Sequence, residues 1–203
     1  SPVTELTPIK PATSVYGNTK QIGEEILRDT AHAKPLKCVA LRYFNPIGAH
    51  PSALIGELPR GVPNNLVPYV TQTAAGLRKS LTIFGNDYPT PDGTCIRDFI
   101  HVMDLAEAHV AAIAFAIKHP ESNLFDTFNL GTGQGNTVLE LVKTFEKVSG
   151  QALPYSIGPR REGDVVAVWA DVQKSRDQLQ WQSTRSLEEA LEDAWRWQQK
   201  LGS

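Results

Sequence analysis

The stretch that decides the fold runs from residue 13 to residue 45, TSVYGNTKQIGEEILRDTAHAKPLKCVALRYFN. Its first part predicts a helix from Thr13 to about Thr30, with Thr13 or Ser14 as N-cap and Val15, Ile22 and Ile26 on one apolar face. Its last part, KCVALRYFN, is a short continuous apolar run of the kind buried in a parallel sheet, and Asn45-Pro46 ends it.

Upstream, SPVTELTPIKPA is rich in proline and threonine and carries neither a helical nor a strand period. It reads as the interior of a loop. Ser1 opens the chain and the single methionine is Met103, so we expect a piece cut from a longer protein. Downstream, residues 46–65 hold many glycines and prolines, and a loop of that length in a compact domain is usually functional. Asn64-Asn65 then cap a helix over 66–79, followed by a strand over 81–85, a polar stretch and the apolar piece CIRDFIHV. A helix from Asp104 to about Lys118 precedes a strand (126–131), a helix (138–150), a strand (153–158) and a terminal helix (186–200). Helices and strands alternate throughout, which makes the class α/β.

Of the 203 residues, 41% are hydrophobic, enough for one substantial core or for one domain and part of another. Twenty basic and 22 acidic residues nearly balance at a net charge of −2. With the basic residues scattered, apart from Arg160-Arg161, a ligand-sized anion is a plausible partner and a nucleic acid is not. No apolar run has the length of a membrane span, so no membrane partner is expected. Cys38 and Cys95 suit reduced thiols in a cytosolic protein, with the spacing leaving a disulfide open. The five histidines have no metal-ligand spacing; no metal is expected, and His101 and His109 read as packing residues.

In Tyr16-x-x-x-Lys20 the two side chains share a helix face, where an ammonium favours a phenolate able to act as a base. That spacing alone equally suits a half-buried tyrosine beside a solvated lysine. The context narrows it. VYGNTKQIGEEIL, followed by a buried strand, resembles the extended short-chain dehydrogenase/reductase superfamily. RYFNPIGAHPS, PNNLVPY, FGNDYPTPDGTCIRD and PRREGD, spread along most of the chain, resemble the UDP-galactose/UDP-glucose 4-epimerase family.

The resemblance implies the C-terminal part of an NAD-binding Rossmann-like domain plus a smaller α/β substrate domain. Residues 1–48 would be the remnant of the first and 49–203 mainly the second, with about 98–118 a candidate to return to the first. It implies NAD as cofactor and a UDP-sugar as substrate. Tyr16 takes the place of the catalytic base and Lys20 that of the lysine holding the nicotinamide ribose. Phe44 matches a contact at the nicotinamide end, and Asn45 and Asn65 match substrate contacts. Thr82, Ile83 and Phe84 match a strand along the uracil, Arg97 and Arg161 the diphosphate arginines, and Asp164 a carboxylate on the uridine ribose. Val168 falls where a bulky residue narrows the sugar pocket, so a valine there predicts acceptance of UDP-GlcNAc and UDP-GalNAc too. Phe99 replaces a tyrosine found in some relatives. The resemblance further implies a cytoplasmic protein, commonly a homodimer when intact. The glycines of GTGQGN (131–136) do not match a dinucleotide fingerprint and are read as a structural turn. Two alternatives stand beside this reading: an inactive fragment that binds UDP-sugar at most weakly, and another nucleotide-sugar epimerase or dehydratase of the same superfamily.

Overall fold

The computed structural model describes residues 2–12 and 14–202. Thr13, one of the two N-cap candidates, lies outside them. The other, Ser14, caps helix α1 (Val15–Ala33): its backbone is extended and its hydroxyl accepts from the Gly17 amide at 3.0 Å. The helix runs three residues past Thr30 and stops before Pro35. Strand β1 (Lys37–Tyr43) pairs in parallel with a strand far along the chain, β6 (Leu124–Leu130), from Lys37↔Leu124 to Tyr43↔Leu130. Helix α1 packs on this pair, as does α3 (Val102–Lys118). The apolar stripe of α1 does not face the sheet: Val15 is 84% exposed and Ile22 and Ile26 are exposed too.

The sequence reading ends the first strand at Asn45-Pro46, and here it needs correction. The backbone changes partner instead of stopping. Phe44 donates its amide to Leu130 of β6, and Asn45 donates to the Asp98 carbonyl. The chain continues as β2 (Asn45–Ile47), parallel to β5 (Phe99–His101). Pro46 has no amide to give, and such a residue is tolerated in a three-residue strand whose neighbour supplies the donor.

A second group of elements surrounds its own apolar cluster. Helix α2 (Leu66–Ala74) is shorter than expected, because Gly76 at φ 75° turns the chain out of the helix. Strand β3 (Leu81–Phe84) pairs in parallel with β8 (Tyr155–Gly158), burying Leu81 and Ile83 and exposing Thr82 and Phe84. Helices α4 (Val138–Ser149) and α5 (Leu187–Leu201) both begin with capping boxes, Thr137 with Glu140 and Ser186 with Glu189. Phe145, Leu141 and Leu191 are fully buried between them, and Phe145 meets Trp195 edge-on at 5.8 Å. The other cluster gathers Ile100, Leu105, Phe128 and Leu130 around β1 and β6, with Trp181 closing it. Mixed α/β architecture with parallel pairings is what the alternation implied.

Four short elements escape sequence periodicity. Strand β4 (Ile96–Arg97) lies between β7 (Asn136–Thr137), antiparallel, and β9 (Ala167–Val168), parallel. A single π turn covers Ser175–Leu179. The turn over 131–133 owes its form to Asp98, which is fully buried: its carboxylate accepts from the Thr132 amide and hydroxyl, both at 2.8 Å, and from the Gly133 amide at 3.2 Å. It also accepts from the Ala170 amide at 3.1 Å. A Cβ on Gly131 would stand 2.3 Å from this carboxylate, so only glycine fits there.

Helix α3 starts two residues before Asp104, capped by His101, whose Nδ1 accepts from the Met103 amide at 3.0 Å. Asp104 is itself fully buried. It accepts from the Ser183 hydroxyl at 2.9 Å and the Arg185 amide at 3.0 Å, and it pairs with the Arg185 guanidinium. Burial alone would raise its carboxyl, but these donors hold it below the ordinary value. A depressed carboxylate stabilises the fold fully above its unfolded pKa, roughly 3.9, and this contribution fades as pH falls through the lower folded value. Denaturant unfolding of Asp104→Asn is expected to lose about 3 kcal/mol at neutral pH, with a shallower decline of stability below about pH 4 than in the parent chain.

Candidate active site

Two cavities meet at Asn45, which lines both. The strand exchange at Phe44 and Asn45 puts that residue at the C-terminal end of β1, where parallel sheets place their ligand groups.

One cavity, of about 520 Å³, brings together Asn45, Asn65, Thr82, Ile83, Phe84, Arg97, Arg161 and Asp164. Asn65 is the N-cap of α2, yet its side chain makes no capping bond; its Nδ2 donates instead to Glu57 Oε1 at 2.7 Å. The first amides of α2 therefore lack a side-chain cap at a rim lined by Leu66, where the helix dipole favours an anion. Among the described residues β3 has only β8 as a ladder partner, so its second edge retains unpaired backbone groups.

The two arginines differ. Arg97 is mostly buried and immobilised, donating from one nitrogen to the Ile96 and Val165 carbonyls at 2.8 and 2.9 Å and from another to Asp164 Oδ1 at 3.2 Å. Arg161 is exposed, and among the described residues its guanidinium makes no hydrogen bond or ion pair. Arg160 lies outside both cavities, paired with Asp87 at 2.8 Å. Cys95 also lines this cavity; burial pushes its thiol up, so it forms a neutral wall. It and Cys38 are both free.

The other cavity, about 510 Å³, is lined by Lys20, Phe44, Asn45 and Val168. Lys20 sits one turn after Tyr16, its ammonium over the Tyr16 ring at 5.1 Å from the centroid. Tyr16 itself lines neither cavity and is 72% exposed. Sequence reasoning missed the far wall. Residues 3–9 form it, pinned where Val3 donates to the Trp169 carbonyl at 2.9 Å and the Glu5 carboxylate accepts from the Asn129 amide at 2.8 Å. It also missed Glu24 and Arg42. The Arg42 hydrogen bond and charge hold the Glu24 carboxyl below its ordinary value, neutralising the floor of the cavity. The signal lay in an acid on α1 and a base inside an apolar strand, 18 residues apart, which no local spacing connects.

The family model of GDP-mannose 4,6 dehydratase matches residues 1–194, and the chain belongs to that family. Within it, the chain is 54% identical over 199 residues to the UDP-glucose 4-epimerase of Bacillus subtilis (strain 168), covering 98% of this chain and 58% of that protein. It is 51% identical over 200 residues to the UDP-glucose 4-epimerase of Erwinia amylovora, covering 97% of this chain and 58% of that one. Among solved structures it resembles UDP-glucose-4-epimerase from Stenotrophomonas maltophila with bound NAD and formylated UDP-arabinopyranose, at TM-score 0.94 and 46% identity over 99% of this chain and 59% of that one. The Bifidobacterium longum enzyme in complex with NAD+ and UDP gives TM-score 0.91 and 46% identity, over 98% of this chain and 58% of that one. The chain thus spans somewhat more than half the length of these relatives.

The Glu24–Arg42 pair has a direct test. Arg42→Ala leaves the mostly buried Glu24 carboxylate with only the longer Arg28 pair at 3.3 Å and should destabilise the chain by roughly 1–2 kcal/mol in urea unfolding. Glu24→Gln combined with Arg42→Met should recover most of that loss.

Proposed function

We propose that this chain is the catalytic Tyr–Lys segment and UDP-sugar-binding part of a UDP-glucose 4-epimerase that interconverts UDP-galactose and UDP-glucose. The observation that carries the reading is the junction of the two cavities at Asn45. On one side stand a free guanidinium, an uncapped helix start and an open strand edge, suited in turn to phosphates and to a flat base. On the other stand Lys20, Phe44 and Val168, sized for a hexose and the end of a cofactor. The relatives at half identity carry this activity in their names, and two solved relatives hold NAD.

Lys20 and Phe44 fit NAD at its nicotinamide end, because the ammonium and the ring both border the cavity beside Asn45. When bound, NAD supplies reversible hydride acceptance at the sugar C4. The protein's part is position and protons. Tyr16 removes the proton of the 4-hydroxyl as general base, with the Lys20 ammonium one turn away, and returns it after the sugar has turned over. Arg97, Arg161, Asp164, Asn65 and the edge of Thr82–Phe84 anchor the nucleotide, leaving the hexose free to rotate in the neighbouring cavity.

We divide the chain between an NAD-binding part, built on residues 1–48 with α3 and β6, and a UDP-sugar-binding part formed by the remainder. The apolar cluster that joins Val39 and Leu41 of β1 to Leu105 and Ala108 of α3 and to Phe128 and Leu130 of β6 supports this division. We also read the full protein as a cytoplasmic homodimer; no described helix is long and apolar enough to cross a membrane, and the exposed Val15, Ile22 and Ile26 of α1 suit a helical interface. The exposure of Tyr16 outside both cavities favours an inactive isolated chain.

In the full-length protein, Tyr16→Phe should lower kcat by roughly 10²–10⁴ with UDP-sugar binding kept. Unchanged turnover would remove Tyr16 as the base, and a 4-keto-6-deoxy product in place of the epimer would make the protein a dehydratase. Val168 should admit an N-acetyl group, so UDP-GlcNAc and UDP-GalNAc should interconvert, and Val168→Tyr should abolish that pair while sparing UDP-glucose. Absence of turnover of the acetylated pair by the parent enzyme would refute this.

A further inference from the structure

Asn65 is oriented from outside its own helix. It is the N-cap of α2, yet its side chain makes no capping bond. An N-cap side chain accepts from the second or third amide of its helix, and the third residue of α2 is Pro68, which has none. What holds the carboxamide is Glu57, whose Oε1 accepts from Asn65 Nδ2 at 2.7 Å. A carboxylate accepts, so this bond fixes the amide nitrogen toward Glu57. Asn65 Oδ1 and the second Nδ2 hydrogen have no other partner among the described residues. Asn65 lines the nucleotide cavity and Glu57 lies outside its lining.

Glu57 belongs to a loop with little freedom. Trp197 of α5 donates its indole N–H to the Glu57 carbonyl at 3.0 Å. A Cβ on Gly56 would stand 2.4 Å from the same indole, so the ring lies against the backbone just before Glu57. Gly56 bridges Ala49 in antiparallel fashion, and the His50 amide donates to the Ile55 carbonyl at 2.9 Å. Ala53 is buried at φ 53°, a left-handed conformation that a non-glycine residue keeps only where its surroundings impose it.

The Glu57–Asn65 bond is itself exposed, and surface substitutions change stability little. A carboxylate next to a site for phosphates also opposes the charge of the ligand. Its presence there is accounted for by the side chain it holds. We propose that Glu57 is a positioning residue for the nucleotide, acting through the Asn65 carboxamide that it orients at the cavity rim. The proposal rests on the reading of this cavity as the UDP site.

The test is calorimetric titration of the full-length protein with UDP, alongside thermal melts without ligand. The variants are Glu57→Ala, Glu57→Gln, Asn65→Ala and the double variant Glu57→Ala with Asn65→Ala. Glu57→Ala should weaken UDP binding about fivefold, although it removes a negative charge. Its ligand-free melting temperature should stay within about 2 °C of the parent. Glu57→Gln keeps an acceptor oxygen for Asn65 Nδ2, and its UDP binding should be no more than about twofold weaker than that of the parent. In the Asn65→Ala background, Glu57→Ala should cost less than about twofold.

Parent-like or tighter UDP binding by Glu57→Ala overturns the proposal. So does a loss in Glu57→Gln as large as in Glu57→Ala, which would assign the effect to charge. An equal loss with and without Asn65, or a larger fall in melting temperature, overturns it as well. A parent protein that does not bind UDP overturns the nucleotide reading and the proposal with it; a parent that binds beside an unaffected Glu57→Ala sinks the proposal alone.

Discussion

A single buried carboxylate determines where both cavities lie. Asp98 sits between β4 and β5, and its side chain gathers the amides of Thr132, Gly133 and Ala170 together with the Thr132 hydroxyl. Its carbonyl takes the Asn45 amide at 3.0 Å, the bond by which the chain leaves β6 and joins β5. Three separate stretches of chain are thus held to one residue. A carboxylate out of water demands donors on all sides, and hydrogen bonds to a charged group are among the stronger ones in a protein interior. Arg97 on one side and Phe99 on the other inherit their positions from it, and both line the cavity of about 520 Å³.

This arrangement separates rigidity from access. The walls that must not move are built from backbone held by capping boxes and buried carboxylates, as at Thr137, Ser186 and Asp104. The groups free to meet a ligand are few and come from chain ends of elements: Lys20 within the first turns of α1, the start of α2 and Arg161 in the turn before Asp164. Function placed on such termini can vary without disturbing the cores, since each core is closed by residues elsewhere, Phe145 and Leu191 in one and Phe128 and Trp181 in the other.

Local chemistry was legible in the sequence and long-range closure was not. Ser14, the capping boxes and the parallel character of KCVALRYFN carry their signals within a few residues. The end of α2 was legible too, in the glycine of AAGL, but the helical pattern outweighed it. Pro46 reads as a stop, and only the presence of Phe99–His101 beside it turns that stop into a strand. The chemically marked positions Asn45, Asn65, Arg97, Arg161 and Asp164 could be picked out by motif, and the structure sets them round one cavity. The wall made by residues 3–9 could not, because its anchor Glu5 meets Asn129 across most of the chain.

The contrast between the two arginines has a thermodynamic consequence. Arg97 is already frozen by two carbonyls and a carboxylate, so an arriving anion finds its charge in place and takes no rotamer freedom from it. Arg161, exposed and unpaired among the described residues, is the one that would give up motion on closing over such an anion. Recognition and release can therefore be governed by different side chains: the first supplies a standing field, and the second acts as a latch whose loosening sets the rate of departure.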